Sequence, residues 1–229
     1  MTGFDVKRKR PWWVSWIPAA ILVVLIAGVG ATVLIIQGTS LGKPLPKPTV
    51  GQVTELNWSS FTADGLAYIE RSRNVRIDLS RPPIDADRLG LPPDGVTTIG
   101  PSNNDDTDND YYLIVSGGGE GYGGTKVTVS ELSITSADGL VTGLSAVASG
   151  AMPFRNALNL MLGKVEEFGW EAPDTAALFA KVEDATRAEE PYEFTFGPGG
   201  RLGFDISMTA NCESSGFCVV RYDVAPTVG

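Results

Sequence analysis

Histidine is absent from this sequence, and cysteine occurs only twice. Without histidine the chain has neither the usual general base at neutral pH nor a Ser-His-Asp or Cys-His catalytic arrangement. It also lacks a common zinc ligand, and two cysteines cannot form a four-cysteine zinc site within one chain. Histidine-dependent catalysis is therefore excluded, and a non-catalytic role is the simpler expectation.

Basic residues are scarce outside the first ten positions. The chain has 18 Lys and Arg residues against 27 Asp and Glu residues, and four of the basic ones form the cluster Lys7–Arg10. When the first ten residues, which also contain Asp5, are set aside, 14 basic and 26 acidic residues remain, a net charge of −12. This charge repels phosphate backbones, so nucleic acid is not expected as a partner.

Charge is missing altogether from residues 11–42, and residues 17–37 within this stretch are almost wholly apolar. Twenty helical residues span about 30 Å, the thickness of the hydrocarbon core of a bilayer. Residues 17–37 are therefore predicted to form one transmembrane helix in contact with the lipid bilayer. A cleaved signal peptide is the alternative, but its apolar core is usually shorter, about 7–15 residues.

The residues that flank this segment predict its orientation. The basic cluster Lys7–Arg10 favours the cytoplasmic side, and the three tryptophans that follow it suit the membrane interface. We therefore expect residues 1–16 to be cytoplasmic and the rest of the chain after the helix to be extracytoplasmic. Small residues within the helix would also allow a homo-oligomer to form through close helix packing.

Beyond the helix, the sequence predicts a proline-rich spacer and one folded domain. Alternating prolines in residues 38–49 favour extended polyproline II backbone. Residues 50–229 have the composition of a globular domain. We predict an α+β domain in which antiparallel β meanders are combined with two short helices, and the sequence leaves open whether the meanders form one sheet or two.

Period-two alternation of apolar residues predicts the strands. Leu66–Glu70 and Val75–Leu79 are expected to pair, residues 80–110 to be irregular, and Tyr111–Ser149 to form a three-stranded meander. A second meander is predicted from residues 192–196, 202–208 and 220–224. Between the meanders, apolar residues at three- and four-residue steps predict two helices, one from Phe154 to Val165 and one over Asp174–Arg187.

The densest run of potential oxygen ligands lies at residues 103–110, where Asp106, Asp108 and Asp110 alternate. This alternation is typical of the start of a calcium loop, but Tyr111 stands at the position that needs glycine, and Gly117 at the position that needs glutamate. A Ca²⁺ site of another geometry and a solvated acidic turn are the two interpretations. Apart from Ca²⁺, no cofactor is expected.

Two further patterns bear on enzyme activity. A glycan hydrolase needs only two carboxylates, and Asp106, Asp108 and Glu120, near Trp58 or Trp170 as a sugar platform, are the candidates. The glycines of residues 117–124 match a G-x-G-x-x-G pattern, but a dinucleotide site requires a helix directly after it. Here a strand-like segment follows, so a loop between two strands is expected.

Cys212 and Cys218 lie between the last two predicted strands. Outside the cytoplasm such a pair is expected to be oxidised, and the spacing is looser than that of catalytic C-x-x-C pairs, so we predict a structural disulfide. Together these features predict a membrane-anchored, extracytoplasmic protein of the cell envelope. Its expected role is a non-catalytic module that binds an envelope protein or a cell-wall polymer, with a Ca²⁺-binding domain and a carboxylate-based glycan hydrolase as alternatives.

Overall fold

A computed structural model of the chain describes residues 47–49, 51–100, 110–118, 123–148 and 150–227, together with Leu22. The chain divides into two compact units, Met1–Lys47 and Pro48–Gly229. In the first unit the described residues are Leu22, which is helical and exposed, and Lys47. Among the described residues no helix is both long and apolar enough to cross a membrane. The predicted membrane segment, residues 17–37, lies outside the described residues except for Leu22.

The second unit is mostly β-sheet with a few helices. Its elements in chain order are α1 (Ala63–Ser72), β1 (Asn74–Asp78), a 3₁₀ turn (Asp87–Leu89), β2 (Gly95–Ile99), β3 (Tyr111–Ser116), β4 (Gly124–Ala137), β5 (Leu140–Ala148), β6 (Met152–Pro153), α2 (Phe154–Leu162), α3 (Val165–Phe168), α4 (Thr175–Ala188), β7 (Tyr192–Gly199), β8 (Phe204–Cys212) and β9 (Phe217–Pro226).

All of these strands belong to one mixed sheet, in the order β1-β3-β4-β5-β9-β8-β7, with β2 paired to β4 and β6 paired to β9. Both predicted meanders are confirmed, since β3-β4-β5 and β7-β8-β9 are antiparallel. Antiparallel pairing of β5 with β9 joins them into a single sheet. The prediction of purely antiparallel pairing is wrong at one edge, where β1 runs parallel to β3.

The predicted strand Leu66–Glu70 is wrong, because these residues lie inside helix α1. Thr62 caps the helix, and its side-chain oxygen accepts a hydrogen bond from the backbone N–H of Gly65 at 3.3 Å. At the other end Arg73 adopts a left-handed conformation and its N–H donates to the Ile69 carbonyl. The second half of that prediction is confirmed, since β1 covers Asn74–Asp78.

Residues 80–110 are more regular than predicted where the structure describes them. The 3₁₀ turn Asp87–Leu89 lies in this stretch, and β2 pairs antiparallel with residues 132–136 of β4. Of the predicted helices, the first divides into α2 and α3. The second is α4, in which Asp174 is the capping residue and accepts hydrogen bonds from the N–H groups of Ala176 and Ala177.

The core lies on one face of the sheet, beneath the helices. An aromatic cluster connects the two layers: the Phe154 ring of α2 contacts Phe194 of β7 edge-to-face, with ring centres 5.6 Å apart, and the Trp170 ring contacts Phe196 at 6.1 Å. Along β7, β8 and β9 the buried residues alternate with more exposed ones, so the opposite face of these strands is open. It is polar on β8, whereas β9 also exposes Phe217 and Val219.

The glycine-rich stretch after β3 joins two antiparallel strands, as expected, and its glycines have a packing role. A Cβ atom added at Gly117 would lie 2.0 Å from the Leu202 carbonyl oxygen, and one at Gly123 would lie 2.7 Å from the same atom. The turn between β7 and β8 therefore packs directly against this backbone. Only glycine leaves room for that contact.

The Cys212–Cys218 disulfide is present, as predicted, and it links β8 to β9 at a directly paired position. A partly exposed carboxylate is held between α3 and the sheet. Glu167 accepts hydrogen bonds of 2.6 Å from Thr125 and from Lys164. Burial by itself would raise the pKa of Glu167, but these two hydrogen bonds and the positive charge of Lys164 outweigh it, so the pKa is lowered.

Candidate ligand-binding cleft

The candidate calcium ligands are only partly within the described structure. Asp106, Asp108 and the hydrolase candidate Glu120 lie outside the described residues. Asp110 directly precedes β3, is half-buried, and has its pKa raised by burial. No group of three or more Asp, Glu, His or Cys side chains that could hold a metal ion occurs among the described residues. The Ca²⁺ site remains a prediction.

The two tryptophans considered as sugar platforms have different surroundings. Trp170 is 6% exposed, and its indole N–H donates a 2.8 Å hydrogen bond to the Ile206 carbonyl. It is therefore a core residue and cannot stack on a ligand. Trp58 is half-buried and lines a cleft at the surface.

We call this site the Trp58 cleft. Three segments form it, namely residues 54–58, residues 78–81 and residues 83–89, and it encloses about 440 Å³. That volume lies within the range of about 300–1,000 Å³ that is usual for small-molecule sites. Besides the indole, its lining contains five charged side chains, those of Glu55, Asp78, Arg81, Asp85 and Arg88.

The loop that carries Trp58 is held by its own backbone. The N–H of Thr54 donates to the Trp58 carbonyl at 2.8 Å, and the N–H of Trp58 donates to the Thr54 hydroxyl at 3.1 Å. Asn57 adopts a left-handed conformation with φ of 64°, which asparagine tolerates better than most residues and which tightens the turn. The loop is consequently closed on itself over five residues.

The same loop is attached to the edge of the sheet. The Ser59 N–H donates to the Arg76 carbonyl at 2.9 Å, and the Arg76 N–H donates to the Ser59 hydroxyl at 2.9 Å. Because Arg76 belongs to β1, Trp58 has a fixed position relative to the end of that strand. There, Asp78 accepts a 3.0 Å hydrogen bond from the Ser80 N–H through Oδ1.

The third wall is fastened to the turn between β4 and β5. The Ala86 N–H donates to the Gly139 carbonyl at 2.8 Å, and the Val141 N–H donates to the Ile84 carbonyl at 2.9 Å. The Leu89 carbonyl in turn accepts from the Phe61 N–H at 2.7 Å. Every wall of the cleft is thus bonded to the sheet or to a segment next to α1, and a site of this kind is largely preformed.

The charges in the cleft are left available to a ligand. Within the described part of the chain, Arg81 and Arg88 make no ion pair and no side-chain hydrogen bond, and the same holds for the carboxylates of Glu55 and Asp85. Asp78 has one oxygen engaged by Ser80. The lining of the cleft therefore combines hydrogen-bond donors, hydrogen-bond acceptors and an aromatic side chain.

A second groove, of about 360 Å³, lies on the open face of the sheet and is less suited to a ligand. Two of its polar side chains already bond to each other, since the Ser145 hydroxyl donates to Asp223 at 2.8 Å, and Ser145 also accepts from Arg221 at 3.4 Å. Its lining contains no aromatic residue. The Trp58 cleft is the stronger candidate for both reasons.

Sequence reasoning singled out Trp58 but missed the charged residues around it. Arg81, Asp85 and Arg88 fall in a proline-rich stretch with no recognisable motif. Comparisons with protein-family models, with curated proteins and with solved structures find no significant match to this chain.

Proposed function

We propose that this chain is a single-pass, membrane-anchored protein of the cell envelope whose extracytoplasmic domain is a non-catalytic binding module. The observation that carries the binding role is the Trp58 cleft, in which Arg81, Arg88 and three carboxylates line the same cavity as the indole and form no ion pair within the described residues. Its partner is a cell-wall polymer or an envelope protein.

The anchoring part of the proposal is supported by the sequence. The uncharged residues 17–37 follow the basic cluster Lys7–Arg10, which favours a cytoplasmic N-terminus. A disulfide in the C-terminal part fits an oxidising compartment. Protease added to intact cells should degrade residues 50–229 and spare the N-terminus, whereas full protection of the domain would refute this topology.

The binding role is tested by cosedimentation of the full-length protein, in detergent, with purified cell envelopes. We expect the wild-type chain to sediment with the envelopes and the double variant Arg81→Ala, Arg88→Ala to stay in solution. Arg155→Ala is the matched control, because Arg155 is an exposed arginine on α2 outside the cleft. Equal sedimentation of all three proteins would exclude the cleft as the binding site.

Hydrolysis of a glycan is the second candidate, and one observation favours it: Glu55, Asp78 and Asp85 line the same cleft as Trp58. Two carboxylates suffice for that reaction. If the protein releases reducing ends from envelope glycans, and Asp78→Asn or Asp85→Asn abolishes that release, the domain is an enzyme and not only a binding module. The Ca²⁺ alternative is tested by thermal unfolding. If the native protein binds Ca²⁺, millimolar Ca²⁺ must raise its melting temperature, because binding stabilises the folded state.

A further inference from the structure

We propose that the ligand of the Trp58 cleft is a neutral sugar unit of an envelope polysaccharide, held over the indole of Trp58. The proposal rests on the binding role proposed above and specifies its ligand class. Four properties of the cleft lead to it: the aromatic surface, the mixture of donors and acceptors, the balance of charge, and the rigidity of the walls.

The indole supplies an apolar contact with a defined electrostatic character. An aromatic ring carries negative charge on its face, and the C–H groups on one side of a sugar ring carry weak positive charge, so the two surfaces attract each other. Trp58 is half-buried and lines the cleft, and its indole N–H has no partner within the described residues, so it can also donate to a ligand. No other tryptophan in the described residues is accessible, since Trp170 is buried.

The polar groups match hydroxyl chemistry. Each sugar hydroxyl both donates and accepts a hydrogen bond, so a site that binds adjacent hydroxyls needs donors and acceptors close together. Arg81 and Arg88 can only donate, whereas ionised Asp78 and Asp85 can only accept. Since Ser80 engages just one oxygen of Asp78, the second carboxylate oxygen has no partner within the described residues.

The charge balance favours a neutral ligand over an ionic one. Three carboxylates and two guanidinium groups line the cleft, a formal charge of −1. A polyanion would meet the carboxylates and the acidic surface of the domain, and a cation would meet the two arginines. A neutral polyhydroxylated ring can form hydrogen bonds with both the arginines and the carboxylates, and it is repelled by neither.

Rigid walls suit a ligand that binds through a few hydrogen bonds. The backbone bonds of Thr54 to Trp58, of Leu79 to Ser116 and of Ala86 to Gly139 hold the three segments before any ligand arrives. A preformed site loses little conformational entropy on binding. The weak individual contacts to a sugar can then add up to measurable affinity.

The test uses the full-length protein, in a detergent that is not a glycoside, with purified envelopes in three forms: untreated, protease-treated, and oxidised with periodate. Periodate breaks the carbon–carbon bond between two adjacent hydroxyl-bearing carbons and so opens sugar rings that carry such a pair. We expect protease-treated envelopes to bind like untreated ones and oxidised envelopes to lose binding. The opposite pattern, in which binding is lost after protease treatment and retained after periodate oxidation, would overturn the proposed sugar ligand and indicate a protein partner.

Variants at the indole provide the second measurement. Trp58→Ala should weaken binding to protease-treated envelopes by about tenfold, and Trp58→Phe should retain most of it, because an aromatic face remains. Arg155→Ala is again the control. Unchanged binding by a folded Trp58→Ala protein would overturn the proposal, as would binding that is abolished by moderate salt, which indicates a charged polymer.

The outcomes separate this proposal from the binding role on which it rests. If Arg81→Ala, Arg88→Ala abolishes sedimentation but periodate has no effect, the cleft binds an envelope component that is not a sugar. If neither untreated nor treated envelopes bind the wild-type chain, both the binding role and the sugar ligand are refuted.

Discussion

High pH should destabilise this protein through its buried tyrosines, and Tyr222 is the residue at which the effect can be isolated. Tyr222 is 3% exposed on β9. Burial, together with the negative charge of Glu167, raises the pKa of Tyr222 to about 12. In an unfolded chain the pKa of tyrosine is about 10. The folded chain therefore keeps a proton that the unfolded chain releases between these two values.

The sign and the size of the effect follow from this difference. Below about pH 10 both states hold the proton, and the contribution of Tyr222 to stability is fully present. Between about pH 10 and about pH 12 the unfolded state binds fewer protons, so the free energy of unfolding falls by about 1.4 kcal/mol per pH unit. Across the interval the loss is roughly 2.7 kcal/mol, a large part of a typical total of about 5–15 kcal/mol.

Urea unfolding of the full-length protein and of Tyr222→Phe, followed by tryptophan fluorescence, measures this contribution. Phenylalanine fills the same core space, and the Tyr222 hydroxyl makes no hydrogen bond within the described residues, so the two proteins should be similarly stable at pH 9. Near pH 11.5 we expect the variant to be the more stable one by roughly 2 kcal/mol relative to that starting difference.

Because other groups also titrate at high pH, the test compares how the stabilities of the wild-type chain and of its variants change with pH. Tyr112→Phe is the control, because Tyr112 is 44% exposed and meets water in both states. Tyr111 is less suitable although burial and its hydrogen bond to Glu70 raise its pKa to about 12, since replacing it also removes that bond. If the wild-type chain and Tyr222→Phe lose stability in parallel with rising pH, the reasoning is wrong.

Four further changes have defined outcomes. Glu167→Gln should lower the free energy of unfolding at pH 7 by roughly 0.5–1 kcal/mol, a range that allows for the partial exposure of Glu167. Because the pKa of Glu167 is lowered in the folded state, the difference between the two proteins should shrink as the pH falls through that pKa; urea unfolding at pH 7 and at pH 3 measures it. Tyr192→Phe should raise the melting temperature, since its buried hydroxyl has no partner within the described residues; a gain of about 1 kcal/mol is expected. Gly117→Ala should cost about 1–3 kcal/mol in chemical denaturation, whereas Gly143→Ala, whose added Cβ meets nothing closer than 3.4 Å, should cost less. Replacing both cysteines by alanine should lower the free energy of unfolding by about 2.4 kcal/mol, the chain-entropy value for a loop of about seven residues, and free thiols in the untreated protein would contradict the bond.

The strands could be predicted from the sequence where one face of the strand is buried and the other is exposed to solvent. Phe194 and Phe196 alternate with Glu193 and Thr195, and the structure places the first pair in the core and the second pair on the open face. Such a pattern records burial directly, because successive side chains of a strand point to opposite faces. The second meander and its disulfide followed from residues of this kind.

Helix α1 was mistaken for a strand because its sequence is short and ambiguous. Leu66 and Ile69 are three residues apart, which fits a helix, but the intervening Ala67 and Tyr68 blur the pattern over such a small window. The signals that decide the matter are the Thr62 cap and the left-handed Arg73, and both act at the ends of the element. A tertiary contact adds to them, since Ile69 is buried against the core.

The Trp58 cleft could not be predicted, because no local pattern connects its walls. Asp78 is at the end of β1, and it lies near the loop of Trp58 only because Ser59 bonds to Arg76 on the free edge of that strand. That edge is free because β1 is the outermost strand of the sheet, and its parallel pairing with β3 is reached only through a long connection. The connection itself supplies Arg81, and it is fastened to Gly139, more than fifty residues away along the chain. The proline-rich stretch that the sequence predicts to be irregular thus forms the wall of the cleft that carries both arginines. This placement is expected when binding residues lie on loops fixed to a rigid scaffold.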